Sequence, residues 1–148
     1  MKSSWEEDKT LLALPFDQYS RQAWAAGMVE AIRKGTRLKI LDVGGYNGKT
    51  ADFFPSDNVT GCDLVDVNER NYVKGDGRTL PFENDSFDFV VTFDTYEHVP
   101  RNGRDAFLKE IYRVSKSGVI LAAPFENDKG GVGSAERSLN EYHKMLYK

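Results

Sequence analysis

The chain is poor in the residues that build disulfides and transition-metal sites. It has one cysteine, Cys62, and two histidines among its 148 residues. A single cysteine forms no internal disulfide, and so few soft ligands make no clustered metal-binding set. We therefore expect neither a disulfide framework nor a bound metal.

The sequence also lacks a long apolar run and a strong net charge. No stretch reaches the roughly 18 consecutive apolar residues that a membrane-spanning helix needs. The net charge of −3 offers no overall attraction to nucleic acid. Residues 1–11 are polar and acidic, unlike a secretory signal peptide. These absences predict a cytoplasmic protein with no membrane segment and no nucleic-acid partner.

Hydrophobic patterning predicts a single α/β domain over residues 1–148, in which residues 1–14 form an N-terminal arm. Strands that alternate with helices are typical of a mostly parallel sheet, which binds ligands at the carboxyl ends of its strands. Polar side chains do follow the predicted strands. The apolar runs predict strands at 38–43, 59–63, 71–74, 87–93 and 119–123, and helices at 19–34, at 49–54 and from Pro100 to a stop at 116–118.

The most informative stretch is 38–50, LKILDVGGYNGKT, in which an apolar strand runs into a glycine turn and a helix start. The glycines allow the backbone to approach a ligand closely. The free N–H groups and the dipole at a helix start favour an anionic or nucleotide-like group. The turn is therefore the centre of the predicted binding site.

The glycine spacing of this turn does not match either of two common nucleotide-binding motifs. A phosphate-binding loop, G-x-x-x-x-G-K-[ST], would need a glycine at position 43, where the chain has Val43. A dinucleotide loop needs G-x-G-x-x-G, and Gly44, Gly45 and Gly48 do not have that spacing.

A third pattern fits, because here the sequence resembles the class I S-adenosylmethionine-dependent methyltransferases of the small-molecule type. Their pattern is an apolar strand, an acidic residue and then G-x-G-x-G. Residues 40–48, ILDVGGYNG, match it with Asp42 as the acidic residue and with Gly44 and Gly48 as outer glycines. The sequence departs from this pattern at Tyr46, which follows Gly45 and occupies the position of the middle glycine.

Four further segments match the family in the same order, so that the resemblance covers roughly residues 17–125. It implies that Asp63, with Leu64 beside it, holds the ribose hydroxyls of the cofactor. A carboxylate suits this role because it accepts two hydrogen bonds at once. The other residues that the resemblance assigns to the cofactor site are Asp76 and Gly77, near the adenine, and Phe93 and Asp94, at the end of the fourth strand.

The resemblance implies a three-layer Rossmann-like fold, with strand order 3-2-1-4-5 and helices on both faces. It implies methyl transfer from S-adenosylmethionine to a small molecule that the sequence does not identify. Because the methyl group of a sulfonium is already activated, alignment is the main requirement and no catalytic residue is assigned. His98 is more simply a histidine bonded to backbone than a base. The alternative is a non-catalytic domain that binds the cofactor or a partner protein.

The family's sheet normally continues beyond the fifth strand with a helix and an antiparallel pair of strands. Residues 126–148 show no alternating apolar pattern for two more strands, so we expect a truncated or reduced member that lacks this pair. The fifth strand then forms a sheet edge, and we expect either a homodimer through it or an added strand that pairs with it.

Overall fold

The fold is described by a computed structural model, which covers residues 14–35, 37–45 and 49–123. Helices precede the first, second and fifth strands of the described chain, whereas the second, third and fourth strands follow one another with no helix between them. Two 3₁₀ turns, Tyr96–His98 and Arg101–Gly103, come after the fourth strand. The elements are α1 (Phe16–Ile32), β1 (Lys39–Val43), α2 (Thr50–Phe53), β2 (Asn58–Asp63), β3 (Tyr72–Lys74), β4 (Phe87–Phe93), α3 (Arg104–Arg113) and β5 (Ser115–Ala122).

The five strands form one parallel sheet in the order β3-β2-β1-β4-β5, which confirms the predicted order. β1 lies in the centre, and its Ile40 pairs with Val59 on one side and Phe89 on the other. A strand paired on both edges and covered on both faces must be apolar nearly throughout. This explains why β1 and β4 are mostly apolar, with Lys39 and Asp42 as the exceptions in β1 and Asp88 and Thr92 as those in β4.

The core has two halves, one on each face of the sheet. On one face Ile40 packs with Val29 of α1 and Phe53 of α2. On the other face the neighbouring Leu41 packs with Phe107 of α3. Because successive side chains of a strand point to opposite faces, β1 contributes to both halves. Helices therefore cover both faces, as the sequence predicted.

The junction between α3 and β5 differs from the prediction. Residues 116–118 were expected to end the helix, but α3 ends at Arg113 and β5 already begins at Ser115. Phe87 pairs with Ser115 while Phe89 pairs with Gly118, so one extra residue bulges out of β5. The Ser115 hydroxyl donates to the Gly118 carbonyl oxygen (2.7 Å). The residues at the start of β5 are polar and have low strand propensity, so the sequence pattern did not predict a strand there. Pairing with β4 stabilises this part of the strand.

An ion pair holds the end of α1 against the beginning of β1. Both terminal nitrogens of Arg33 donate to the Asp57 carboxylate, each at 2.8 Å. The Leu38 N–H donates to the same carboxylate (2.9 Å). Asp57 therefore fixes two elements that meet in the core.

Several predictions concern residues outside the described ranges. They are the arm at 1–14, except its last residue, the absence of a C-terminal strand pair, and the roles of Tyr46 and Gly48. Across the residues that the structure covers, no helix is both long and apolar enough to cross a membrane.

Candidate active site

The glycine turn after β1 requires glycine at two successive positions. Gly44 has a φ of +89°, in the left-handed region, and its N–H donates to the Cys62 carbonyl oxygen of β2 (2.8 Å). A Cβ at Gly44 would overlap the Thr95 side chain. A Cβ at Gly45 would overlap the Asp42 carboxylate. The turn thus brings bare backbone directly over a carboxyl group.

Asp42 is the most strongly perturbed acid at this edge of the sheet. Its residue is only 3% exposed, and burial raises the pKa of its carboxyl to about 7. The Thr50 hydroxyl at the start of α2 opposes that rise, and the charge of Asp63 adds to it. At neutral pH the carboxyl is therefore poised between its two forms. A cationic ligand group nearby would favour the ionised form.

Asp63 ends the neighbouring strand, as predicted. Its Oδ1 accepts a hydrogen bond from the Val65 N–H (3.2 Å), and its backbone carbonyl accepts one from the Gly75 N–H (2.9 Å). Asp63 and Leu64 are half-buried, so both residues remain partly accessible to solvent. The charge of Asp63 adds to the rise in the pKa of Asp42, so the two carboxyl groups are close enough to interact.

Asp76 follows β3 and is held by Arg78. The Arg78 backbone N–H donates to Asp76 Oδ1 (2.8 Å), and the guanidinium Nη2 donates to Oδ2 (2.7 Å). Burial raises the pKa of Asp76, but these hydrogen bonds outweigh it and hold the pKa below its usual range. Gly77 is buried beneath α3, where a Cβ would lie 2.7 Å from Phe107 Cδ2. The adenine role of Asp76 stays a prediction.

Asp94 follows β4 and forms an ion pair that the sequence reasoning missed. Its Oδ2 lies 2.6 Å from Nη2 of Arg21 on α1, and the same nitrogen lies 2.8 Å from Asp17 Oδ2. Asp94 has a φ of +50°, which is uncommon for a residue with a side chain. Phe93 before it packs against the α1 side of the core. In the sequence, the spacing of Asp17 and Arg21 indicates an ion pair within the helix. It gives no indication that Arg21 also pairs with Asp94.

Glu97 and His98 lie in the first 3₁₀ turn after β4. Glu97 Oε1 and His98 Nε2 are 3.8 Å apart, and both side chains are mostly buried. The backbone N–H of His98 donates to the Thr95 carbonyl oxygen (3.0 Å). These contacts fix the positions of Glu97 and His98 but do not indicate a catalytic role for either residue.

The structure gathers most of the predicted site at the carboxyl edge of the parallel sheet. The turn, the two carboxyl groups beside it and the end of β4 lie there because parallel strands end at the same edge. Predicted residues placed at this edge or in the loops that follow it are Asp42, Gly44, Gly45, Asp63, Leu64, Asp76, Gly77, Phe93 and Asp94.

Comparisons with known proteins match this fold. The profile of the methyltransferase domain matches residues 41–123. A sterol 24-C-methyltransferase of Schizosaccharomyces pombe is 32% identical over 111 residues, which are 61% of this chain and 28% of that protein. A ubiquinone/menaquinone biosynthesis C-methyltransferase of Rhizobium rhizogenes is 32% identical over 119 residues, 66% of this chain and 45% of that protein. The chain spans half or less of these relatives.

Solved structures share the fold at lower identity. The 1,6-didemethyltoxoflavin-N1-methyltransferase of Burkholderia thailandensis superposes with a TM-score of 0.59 at 21% identity, covering 76% of this chain and 55% of that one. The PH0226 protein of Pyrococcus horikoshii gives 0.59 at 23% identity, covering 82% and 65%. The profile match spans more than half of the 148 residues, on the expected sheet order and with the glycine turn at the expected strand. The chain therefore belongs to the methyltransferase-domain family, with the class I Rossmann-like fold.

Proposed function

We propose that the protein transfers a methyl group from S-adenosylmethionine to a small-molecule acceptor. The observation that carries the proposal is the buried Asp42 carboxyl beneath the glycine turn, with Asp63 at the end of the adjacent strand. The structure of the Burkholderia thailandensis N1-methyltransferase contains S-adenosylhomocysteine, the demethylated form of this cofactor. The matched relatives are named for sterol and quinone methylation, which supports a small-molecule acceptor.

The described residues fit the cofactor in charge. Glycine at positions 44 and 45 leaves room for the Thr95 and Asp42 side chains, so the Asp42 carboxyl lies directly against the turn. The charge of Asp63 raises the pKa of Asp42. Two neighbouring carboxyl groups would repel a polyphosphate and attract a cationic sulfonium or ammonium group. Asp63 is the residue that would accept hydrogen bonds from the ribose hydroxyls. When bound, S-adenosylmethionine supplies the activated methyl group.

The chain's own residues would act mainly by holding and orienting. Asp42 offers a negative charge that depends on its surroundings, and the Arg21–Asp94 ion pair fixes α1 beside the end of β4. Proper alignment of donor and acceptor supplies much of the rate acceleration of such a reaction. Whether a base is needed depends on the pKa of the acceptor atom, so no residue is assigned that role.

Calorimetric titration with S-adenosylmethionine and with S-adenosylhomocysteine tests the proposal. Both should bind, and Asp63→Ala should weaken binding at least tenfold because ribose hydrogen bonds are lost. Asp66→Ala is the matched control, since this exposed acid lies three residues further along and its ion pair with Lys74 is long, at 3.7 Å. A folded protein that binds neither ligand would overturn the proposal.

Methyl transfer itself requires a second measurement. Radiolabelled S-adenosylmethionine is incubated with quinol, sterol and phenol acceptors, and transferred label is counted. Transfer of label to any acceptor supports the proposal that the protein is a methyltransferase. Cofactor binding without transfer to the whole panel would favour the non-catalytic binding domain instead.

Two further expectations from the sequence stay predictions. In the part of the chain that the structure describes, β5 pairs with β4 alone, so its other edge offers backbone groups to a second copy. A homodimer through that edge would appear as a doubled mass in solution. The cytoplasmic location would be tested by cell fractionation.

A further inference from the structure

The guanidinium group of Arg78 approaches both oxygens of the Asp76 carboxylate from one side. Its Nη2 donates to Oδ2 (2.7 Å), and its Nε lies 3.0 Å from Oδ1 and 3.1 Å from Oδ2. The backbone N–H of the same arginine also donates to Oδ1 (2.8 Å). A carboxylate that is held by a planar guanidinium and by a backbone group cannot rotate without breaking several charge-assisted hydrogen bonds.

These hydrogen bonds leave one acceptor position of the carboxylate open. A carboxylate has about four such positions, two on each oxygen. Three N–H groups of Arg78 take three of them, two on Oδ1 and one on Oδ2. Among the described residues no further donor reaches Oδ2, and the side chain of Asp76 is still 25% exposed. The open position on Oδ2 can therefore accept one hydrogen bond from a ligand, in a direction that Arg78 sets.

The surrounding fold holds both members of this ion pair in place. A Cβ at Gly103 would lie 2.7 Å from Arg78 Cδ, so the stem of the arginine passes directly beside the second 3₁₀ turn. The Thr79 N–H donates to the Asp76 carbonyl oxygen (2.9 Å) and closes the loop after β3. The direction of the open acceptor position is consequently set before a ligand binds, which lowers the entropy cost of binding.

The position of Asp76 along the sheet edge indicates which part of a ligand it meets. Because the strand order is β3-β2-β1, the glycine turn, Asp63 and Asp76 follow one another along the carboxyl edge. The Gly75 N–H donates to the Asp63 carbonyl oxygen (2.9 Å) and joins the last two. A nucleoside with its ribose on Asp63 and its 5′ substituent at the turn extends its base towards Asp76. An ionised carboxylate accepts from an exocyclic amino group and repels a carbonyl oxygen.

We propose that Arg78 is a positioning residue, which fixes the plane of the Asp76 carboxylate so that Oδ2 accepts a hydrogen bond from the amino group of adenine. The inference rests on the proposed function, because S-adenosylmethionine carries this base. A rigid site that offers only an acceptor rejects an analogue without the donor, since the buried acceptor would be left unpaired. Lysine cannot replace Arg78, because an ammonium group is a point charge and does not fix a plane.

Calorimetry with two ligands that differ at the base tests the proposal. S-adenosylhomocysteine carries the amino group, and S-inosylhomocysteine has a carbonyl oxygen in its place. The original chain should prefer the first by at least about tenfold. Arg78→Met should reduce the preference to less than about threefold, and Arg78→Lys should not restore it. Arg101→Met is the matched control, because Arg101 is an exposed arginine on the second 3₁₀ turn, and it should keep the full preference.

The possible outcomes separate this inference from the proposed function. A folded chain that binds neither ligand overturns the proposed function and the inference with it. Equal binding of both ligands by the original chain overturns the inference alone, because Asp76 then does not contact the base. An undiminished preference in Arg78→Met, or a full preference in Arg78→Lys, shows that the plane of the carboxylate does not depend on Arg78 and also overturns it. Circular dichroism establishes that each variant is folded, and Arg78→Lys, which keeps the charge, provides the comparison if Arg78→Met does not fold.

Discussion

Replacing Asp42 by asparagine should remove the loss of stability that the ionisation of Asp42 causes as the pH rises. The carboxyl has an ordinary pKa near 3.8, which burial raises to about 7 in the folded chain. Below about pH 4 both the folded and the unfolded state hold the proton, and the neutral group adds no penalty. As the pH rises towards 7, the unfolded state loses its proton first, so folding becomes less favourable. Above pH 7 the full penalty remains.

The size of this effect follows from the pKa difference. Each pKa unit corresponds to about 1.4 kcal/mol, so the full penalty is roughly 4 kcal/mol. Between pH 5 and pH 8 the linkage relation gives a change of roughly 2.5 kcal/mol. Asparagine keeps the volume of the side chain but cannot ionise. The unfolding free energy of Asp42→Asn minus that of the original chain should therefore grow by this amount over the same interval.

Urea unfolding at pH 5, 6, 7 and 8, without added ligand, measures this difference. Taking the difference between the two chains removes the contribution of all other titrating groups. Asp52→Asn, an exposed position on α2, shows the effect of removing one surface charge. A difference for Asp42→Asn that is no steeper than that of the control would refute the argument, and so would a slope of opposite sign.

Three other substitutions have expected outcomes. Gly45→Ala should weaken S-adenosylmethionine binding at least tenfold in calorimetry, because its Cβ overlaps the Asp42 carboxylate; unchanged affinity would contradict this. Asp57→Ala removes the bidentate partner of Arg33 and should cost roughly 3 kcal/mol of unfolding free energy at pH 7. Burial raises the pKa of Asp57, but the Arg33 hydrogen bonds lower it overall, so this cost should shrink below about pH 4. Gly77→Ala places a Cβ 2.5 Å from Cε2 of the Phe107 ring on α3 and should cost about 1–3 kcal/mol in thermal unfolding, whereas an unchanged Tm would show that the ring moves freely.

The sheet and the acidic strand ends could be predicted because their signals are local. β4 occupies 87–93 as its apolar run indicated, since strands buried on both faces need apolar residues at most positions. Asp63 ends β2 at the predicted residue for a related reason: the change from apolar to polar marks where a strand leaves the core. Both features depend on neighbours within one strand, which a sequence displays directly.

Contacts between distant residues could not be predicted in this way. The ion pair of Arg21 with Asp94 joins residues 73 positions apart, the difference between their sequence numbers. A surface arginine on a helix carries no mark of its partner, because the sequence pattern does not fix where the helix lies over the sheet. The early start of β5 was missed for the same reason, since pairing with β4 stabilises residues whose own propensity is low.

The central position of β1 has a consequence for how the chain folds during synthesis. Lys39 pairs with Asn58 only 19 residues later, but Ile40 pairs with Phe89 after 49 residues. Closing the longer loop costs more entropy, and β4 leaves the ribosome well after β1 and β2. We expect β1, β2 and β3 to associate first and to expose the open edge of β1 until β4 arrives. The strand that carries the glycine turn is thus enclosed on both sides only when β4 arrives, and a ligand at that turn would bind only after β4 is in place.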